Sequence, residues 1–229
     1  MKKQTKVIGL LLCAVLLVAG SVIGTLAYLT SDDTVTNTFS VGSVGISMDE
    51  ADVDEAGQLI YTSDDKLADR VQKNDYHLLP GHYYVKDPTI HIDDKSEEAY
   101  LYVKLVIEDN ANLVAALEKY GLSTVLKDLL DDLNADDWSC MECDQTDDGT
   151  KTYLLLFHQT IYGGTGDIKL FTGFTVPEEF TNDDLASIAD LEMTITAYAV
   201  QADGFGADEY TFEQKAAEAW GSTFGKPTP

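Results

Sequence analysis

Basic side chains are scarce in this chain of 229 residues: 15 Lys and Arg stand against 40 Asp and Glu, a formal net charge of -25. A surface that acidic repels phosphate backbones and anionic headgroups, which argues against a nucleic-acid binder. Divalent cations and basic partners stay open. Catalytic signatures are missing too. No segment reads His-Glu-x-x-His or Gly-x-Ser-x-Gly, and no Gly-rich phosphate loop opens a helix. There is no internal repeat of fixed period. What is present, 45% hydrophobic and 10% aromatic residues, describes a globular chain of one domain or two small ones and excludes collagen, coiled coil and full disorder.

The first residues are set aside before any fold reasoning. Lys2, Lys3 and Lys6 precede a nearly uncharged run from Val7 to Ile23, followed by Gly24-Thr25-Leu26-Ala27. That is the pattern of a secretory signal peptide over 1–27. Thr25 and Ala27 are small enough for the peptidase pockets, so cleavage is expected between Ala27 and Tyr28. The alternative is an uncleaved anchor, since Val7 to Leu29 is about long enough to span a bilayer. Cys13 follows Leu11 and Leu12 and so lacks the small residue that precedes a lipidated cysteine. Cleavage leaves 202 residues with 12 basic and 40 acidic side chains, a net charge of -28. That length buries a sizeable core.

Period-two alternation dominates the middle and the end of the chain. In Ala99 to Glu108 the positions Leu101, Val103, Leu105 and Ile107 are all apolar, and Leu191 to Gln201 alternates likewise. Thr152 to Gln159 is apolar on both faces, which suits a central strand covered on both sides. Thr38 to Met48, Val85 to Ile92 and Ile168 to Thr175 are shorter candidates, and Asp49 to Asp69 reads as a long acidic loop. Leu113, Leu117 and Tyr120, then Val125, Leu126, Leu129, Leu130 and Leu133, recur at helical spacing on either side of Gly121. These predict a helical insert of two short helices over 111–134. Phe212 to Trp220 predicts a C-terminal helix, with 221–229 a loose tail. The fold class is therefore mainly β: an antiparallel β-sandwich in a single domain over 28–220, decorated by helices.

Few residues are placed for chemistry. His77, His82, His91 and His158 are too scattered for local spacing to build a metal site, and they read as surface or structural histidines. Cys140-Met141-Glu142-Cys143 has C-x-x-C spacing, but a four-cysteine zinc site needs a second pair. A small-loop disulfide between Cys140 and Cys143 formed outside the cell is expected, with two free thiols as the alternative. Asp52 and Asp54 begin a weak match to a calcium loop, in which Ala56 and Ser63 stand where ligands are needed. No cofactor is expected.

Gly24-Thr25-Leu26-Ala27-Tyr28-Leu29-Thr30-Ser31-Asp32, followed by Val35-Thr36-Asn37-Thr38-Phe39-Ser40-Val41-Gly42, closely resembles the N-terminus of the TasA and camelysin family of Gram-positive bacteria. Leu79-Pro80-Gly81, Lys86-Asp87-Pro88-Thr89-Ile90, Ala99 to Lys104 and Ile195 to Ala202 look like the same family. The resemblance implies a jelly-roll sandwich, processing by a SipW-type signal peptidase, secretion to the extracellular matrix or cell surface, and a subunit of biofilm fibres. It implies self-association and contact with other matrix components, with membrane contact only before cleavage. The segment after the cut, 28–37 with Phe39 and Val41 beyond it, would act as donor strand for the next subunit. Tyr28, Leu29, Val35, Phe39 and Val41 are its apolar contacts. The bland alternative makes these residues the first strand of their own sandwich. Camelysin itself carries a metalloprotease label, from which this sequence departs because no metal-binding peptidase motif is present. A camelysin-type surface peptidase and a monomeric adhesion module are the competing functions.

Overall fold

Four long antiparallel strands carry the fold, and two of them are buried on both faces. The computed structural model describes residues 43–145 and 149–225, the side chains of 143–145 excepted. Ala27, Tyr28, Leu29, Val35, Phe39 and Val41, which bear the cleavage and donor-strand expectations, lie outside the described residues, as do 226–229. Strand β4 (Ala99–Ile107) pairs on one side with β6 (Lys151–Ile161) and on the other with β9 (Met193–Gln201), while β5 (Trp138–Gln145) adds an edge beside β6. The order is β5-β6-β4-β9.

The two faces of this sheet are filled by different partners. Leu101, Val103, Leu105 and Ile107 of β4 are buried in a core with Ile90, Ile168, Leu170 and Phe171. Those residues belong to or follow a second antiparallel sheet, β1 (Ile46–Asp49), β3 (Thr89–Ile92) and β7 (Ile168–Lys169), with β3 in the centre. On the opposite face Tyr100, Tyr102, Leu154 and Leu156 meet Ala216, Ala219 and Trp220 of the C-terminal helix, Phe212–Phe224. A strand apolar on both sides, such as β6, is the expected consequence. The Tyr102 hydroxyl keeps its hydrogen bond inside this layer, donating to the Ala216 carbonyl at 2.6 Å.

Two of the shorter expected strands divide between sheets. Val85 to Ile92 becomes β2 (Tyr83–Val85) and β3, and Ile168 to Thr175 becomes β7 and β8 (Gly173–Thr175). The same two segments pair throughout, β3 with β7 and β2 with β8, so one ribbon bends from one sheet into the other. The bend falls at Pro88, which has no N–H to give a ladder, and at the buried Leu170 and Phe171. Backbone bonds from Leu170 N–H to the Pro88 carbonyl and from Lys86 N–H to Thr172 carry the pairing across it.

The helical insert is shorter than its periodicity suggests. Helix α1 (Asn110–Lys119) ends at Gly121, which adopts φ +69°. The amides of Gly121 and Leu122 bond back to the carbonyls of Glu118 and Leu117 in a Schellman closure. The second helix is a single turn, α2 (Leu126–Leu129), because Asp131 leaves it to form an antiparallel bridge with Gly173 of β8. A third helix, α3 (Asn182–Ser187), starts from a capping box of Thr181 and Asp184. The C-terminal helix, α4, starts from a second one of Thr211 and Gln214 and runs to Phe224, so residues 221–224 of the expected tail are helical. Among the described residues no helix is long and apolar enough to cross a membrane.

Candidate functional site

An open cleft of about 1460 Å³ is present among the described residues. Met48 and Asp49 of β1 and Met193, Thr194 and Ile195 of β9 line it, so it lies where two sheet edges meet without sharing a ladder. Among the described residues β1 pairs with β3 alone and β9 with β4 alone. Its floor is apolar, with Leu117 of α1, Phe174 of β8, and Val176, Phe180 and Ile188 around α3. One wall is the segment Gln72 to Leu79, in which Tyr76 packs edge-on against Tyr84 and Phe174 at ring separations of 5.9 and 5.6 Å. Burial raises the Tyr76 hydroxyl far above its ordinary pKa, with Glu50 adding to it. Such a cleft suits an extended apolar segment, whose backbone can bond to a bare edge while its side chains fill the floor.

That wall is fastened by charge. Arg70, the only arginine of the chain, closes the acidic excursion 51–69 onto the β1-β3-β7 sheet. Its Nε donates to Asp49. Its Nη1 donates to Asp87 Oδ2 at 3.2 Å, and its Nη2 to Thr89 Oγ1 at 2.8 Å and to the Asp87 carbonyl at 3.0 Å. Lys169 Nζ reaches Asp87 Oδ2 at 3.0 Å, and the Ala51 amide donates to Asp87 Oδ1 at 2.7 Å. Burial alone would raise the Asp87 carboxyl, but the Ala51 amide, Arg70 and Lys169 outweigh it and hold it below the usual carboxylate range. Asp49 follows the same balance, with Arg70 and His91 overcoming burial. Beside this network Lys86 Nζ and Glu50 Oε2 form a nearly buried pair at 2.7 Å, and the backbones of Glu50 and Val71 bond reciprocally at 2.8 Å.

The excursion expected as an acidic loop is therefore ordered by two successive bridges, Val53 with Leu59 and Tyr61 with Leu67, both enclosed by the bridge of Glu50 to Val71. Asp54 serves a turn, accepting from the amides of Ala56 and Gln58 at 3.0 and 2.9 Å. Among the described residues no group of three or more His, Cys, Asp or Glu is placed to hold a metal, Asp52 and Asp54 included.

The four histidines are not brought together. His77 lines the cleft and its carbonyl accepts from the Tyr84 hydroxyl. His82 sits in the turn before β2, His91 lies between Asp49 and Asp167, and His158 contacts the Asp136 carbonyl. Cys140 is disulfide-bonded and borders a smaller pocket of about 430 Å³ with Trp138 and Tyr153. The backbone of β5 bulges between Cys140 and Glu142, which sets Cys140 opposite Leu155 and Cys143 opposite Tyr153. The Cys143 side chain lies outside those described.

Arg70 is absent from the sequence expectations, although a single guanidinium at the end of an acidic stretch marks it, since a planar fork binds carboxylates better than lysine does. No protein-family model matches the chain, nor does any curated protein or solved structure.

Proposed function

We propose that this chain is a secreted structural protein, a subunit of extracellular biofilm-matrix fibres that polymerises by donor-strand exchange. The observation that supports the reading is the open cleft with an apolar floor, flanked by edges of β1 and β9 that have no further partner among the described residues. The donor is the segment after the cut, Tyr28 to Val41. From Val35 on, the odd positions Val35, Phe39 and Val41 are apolar, with Asn37 the exception, and Thr36, Thr38 and Ser40 are polar, so one side can fill a floor while the backbone pairs with an edge. A contact between a donor on one molecule and a cleft on the next is head-to-tail and propagates. The jelly-roll arrangement of the two facing sheets, release at Ala27 and Tyr28 by a SipW-type peptidase, and residence in the matrix or at the cell surface belong to the same proposal. It gives the chain no catalytic role.

A binding measurement tests it. A synthetic peptide of residues 28–41 is titrated into protein lacking 28–37. Binding is expected, and Leu79→Asp, at a cleft residue that is 40% exposed and so dispensable for folding, should weaken it about tenfold. A peptide that does not bind, or that binds the variant equally, contradicts the reading.

A further inference from the structure

The outer face of the β1-β3-β7 sheet brings together a histidine and two carboxylates, one from each strand or its entry. His91 stands on the central strand, Asp49 on β1 diagonal to it, and Asp167 immediately before β7 in line with the β3–β7 register. His91 Nε2 lies 2.9 Å from Asp49 Oδ1, and His91 Nδ1 lies 2.9 Å from Asp167 Oδ1. A neutral imidazole has one N–H and one lone pair, so it donates to one carboxylate and turns a lone pair toward the other. Only the imidazolium donates to both.

We propose that His91 is a protonation switch: charged, it stitches the three strands together, and uncharged, it releases Asp167 and the entry to β7. Asp49 stays because Arg70 also holds it through both its carboxylate and its carbonyl. Asp167 is the partner that leaves, its side chain being 63% exposed. Strand β7 has two residues and stands at the sheet edge, so loosening its entry frays the edge that covers β3.

The charges around His91 favour the proton. From β1 comes Asp49, with the uncharged Ser47 directly opposite. From the entry to β7 comes Asp167, and from β7 comes Lys169, which is paired with Asp87. Just past the end of β3 stands Asp93, whose carboxylate lies over Gly45. Arg70 of the acidic excursion faces Asp49. The hydrogen bond to Asp49 raises the imidazole above its ordinary value, burial opposes it, and Asp167 adds to the rise. A group raised on folding contributes stability in full below its unfolded pKa, about 6.5, and loses it as the pH climbs through the folded value. The switch operates whether or not the chain polymerises.

The test is an NMR titration of the histidine rings in the purified protein, with His91 assigned by His91→Gln. His91 should titrate above about 6.5, and the amides of residues 166–169 should shift with the same midpoint. Asp167→Asn, at an exposed position that preserves folding, should move the His91 midpoint down and abolish the linked amide shifts. In thermal unfolding the native protein should lose stability relative to that variant as the pH rises through the His91 transition. A His91 midpoint at or below about 6.5, or one unmoved by Asp167→Asn, overturns the proposal.

Discussion

Arg70 shows how much of this fold depends on a single guanidinium. It reaches Asp49, Asp87 and Thr89, residues 17 to 21 positions away in the chain, and Asp87 is nearly buried. Arg70→Ala should cost about 1–3 kcal/mol, since Lys169 still covers one Asp87 oxygen and the site is partly solvated. Arg70→Lys should recover less than half, because an ammonium cannot span the same acceptors. Chemical denaturation of the three proteins measures both, and equal stability would refute the assignment. The pH dependence has a definite sign. Asp49 and Asp87 are held below their ordinary values, so their contribution is present above about pH 4 and is lost as the pH falls through their folded values. In Arg70→Ala that acid-side loss should shrink. The thiols are testable at this scale as well. Cys140 is disulfide-bonded, and pairing with Cys143 predicts no labelled cysteine in unfolded, unreduced protein from which 1–27 have been removed. Two labelled cysteines per chain would refute the pairing.

Among the elements, the C-terminal helix answers most directly to a mutation. Trp220 of α4 packs against Tyr102, Tyr198 and Phe224 at ring separations of 5.0, 5.4 and 4.4 Å. Trp220→Ala should therefore destabilise the protein by about 3–5 kcal/mol, read by denaturation, and a loss below 1 kcal/mol would mean the helix is an ornament. This element was legible in advance, as were β4, β6 and β9, because each is long and keeps one period over many residues. The bent ribbon of β2-β3 and β7-β8 was legible only as two continuous strands. Alternation says which residues pair with a core but not that the core changes from one sheet to another at Pro88. The lost part of the second insert helix has the same origin: Leu129, Leu130 and Leu133 keep helical spacing, yet the long-range bridge of Asp131 to Gly173 takes the backbone elsewhere. The cleft was not legible, and of the Arg70 network only the lone guanidinium closing an acidic stretch was. Their partners come from segments far apart in sequence, and no local pattern joins them.

At the scale of the molecule the acidic charge and the cleft belong together. Copies of a chain with 15 basic and 40 acidic side chains repel one another, so the proposed assembly would require a contact whose apolar burial outweighs that repulsion, and salt should promote it by screening. In the proposed assembly a donor strand seated on the cleft floor would be such a contact. The decisive measurement is electron microscopy of the protein from which 1–27 have been removed and of the same protein lacking Tyr28 to Asn37, at matched, rising concentrations. The account predicts fibres from the intact protein, and from the deletion a folded monomer with unchanged circular dichroism and no fibres. Filaments from the deleted protein under the conditions where the intact one makes them would contradict it.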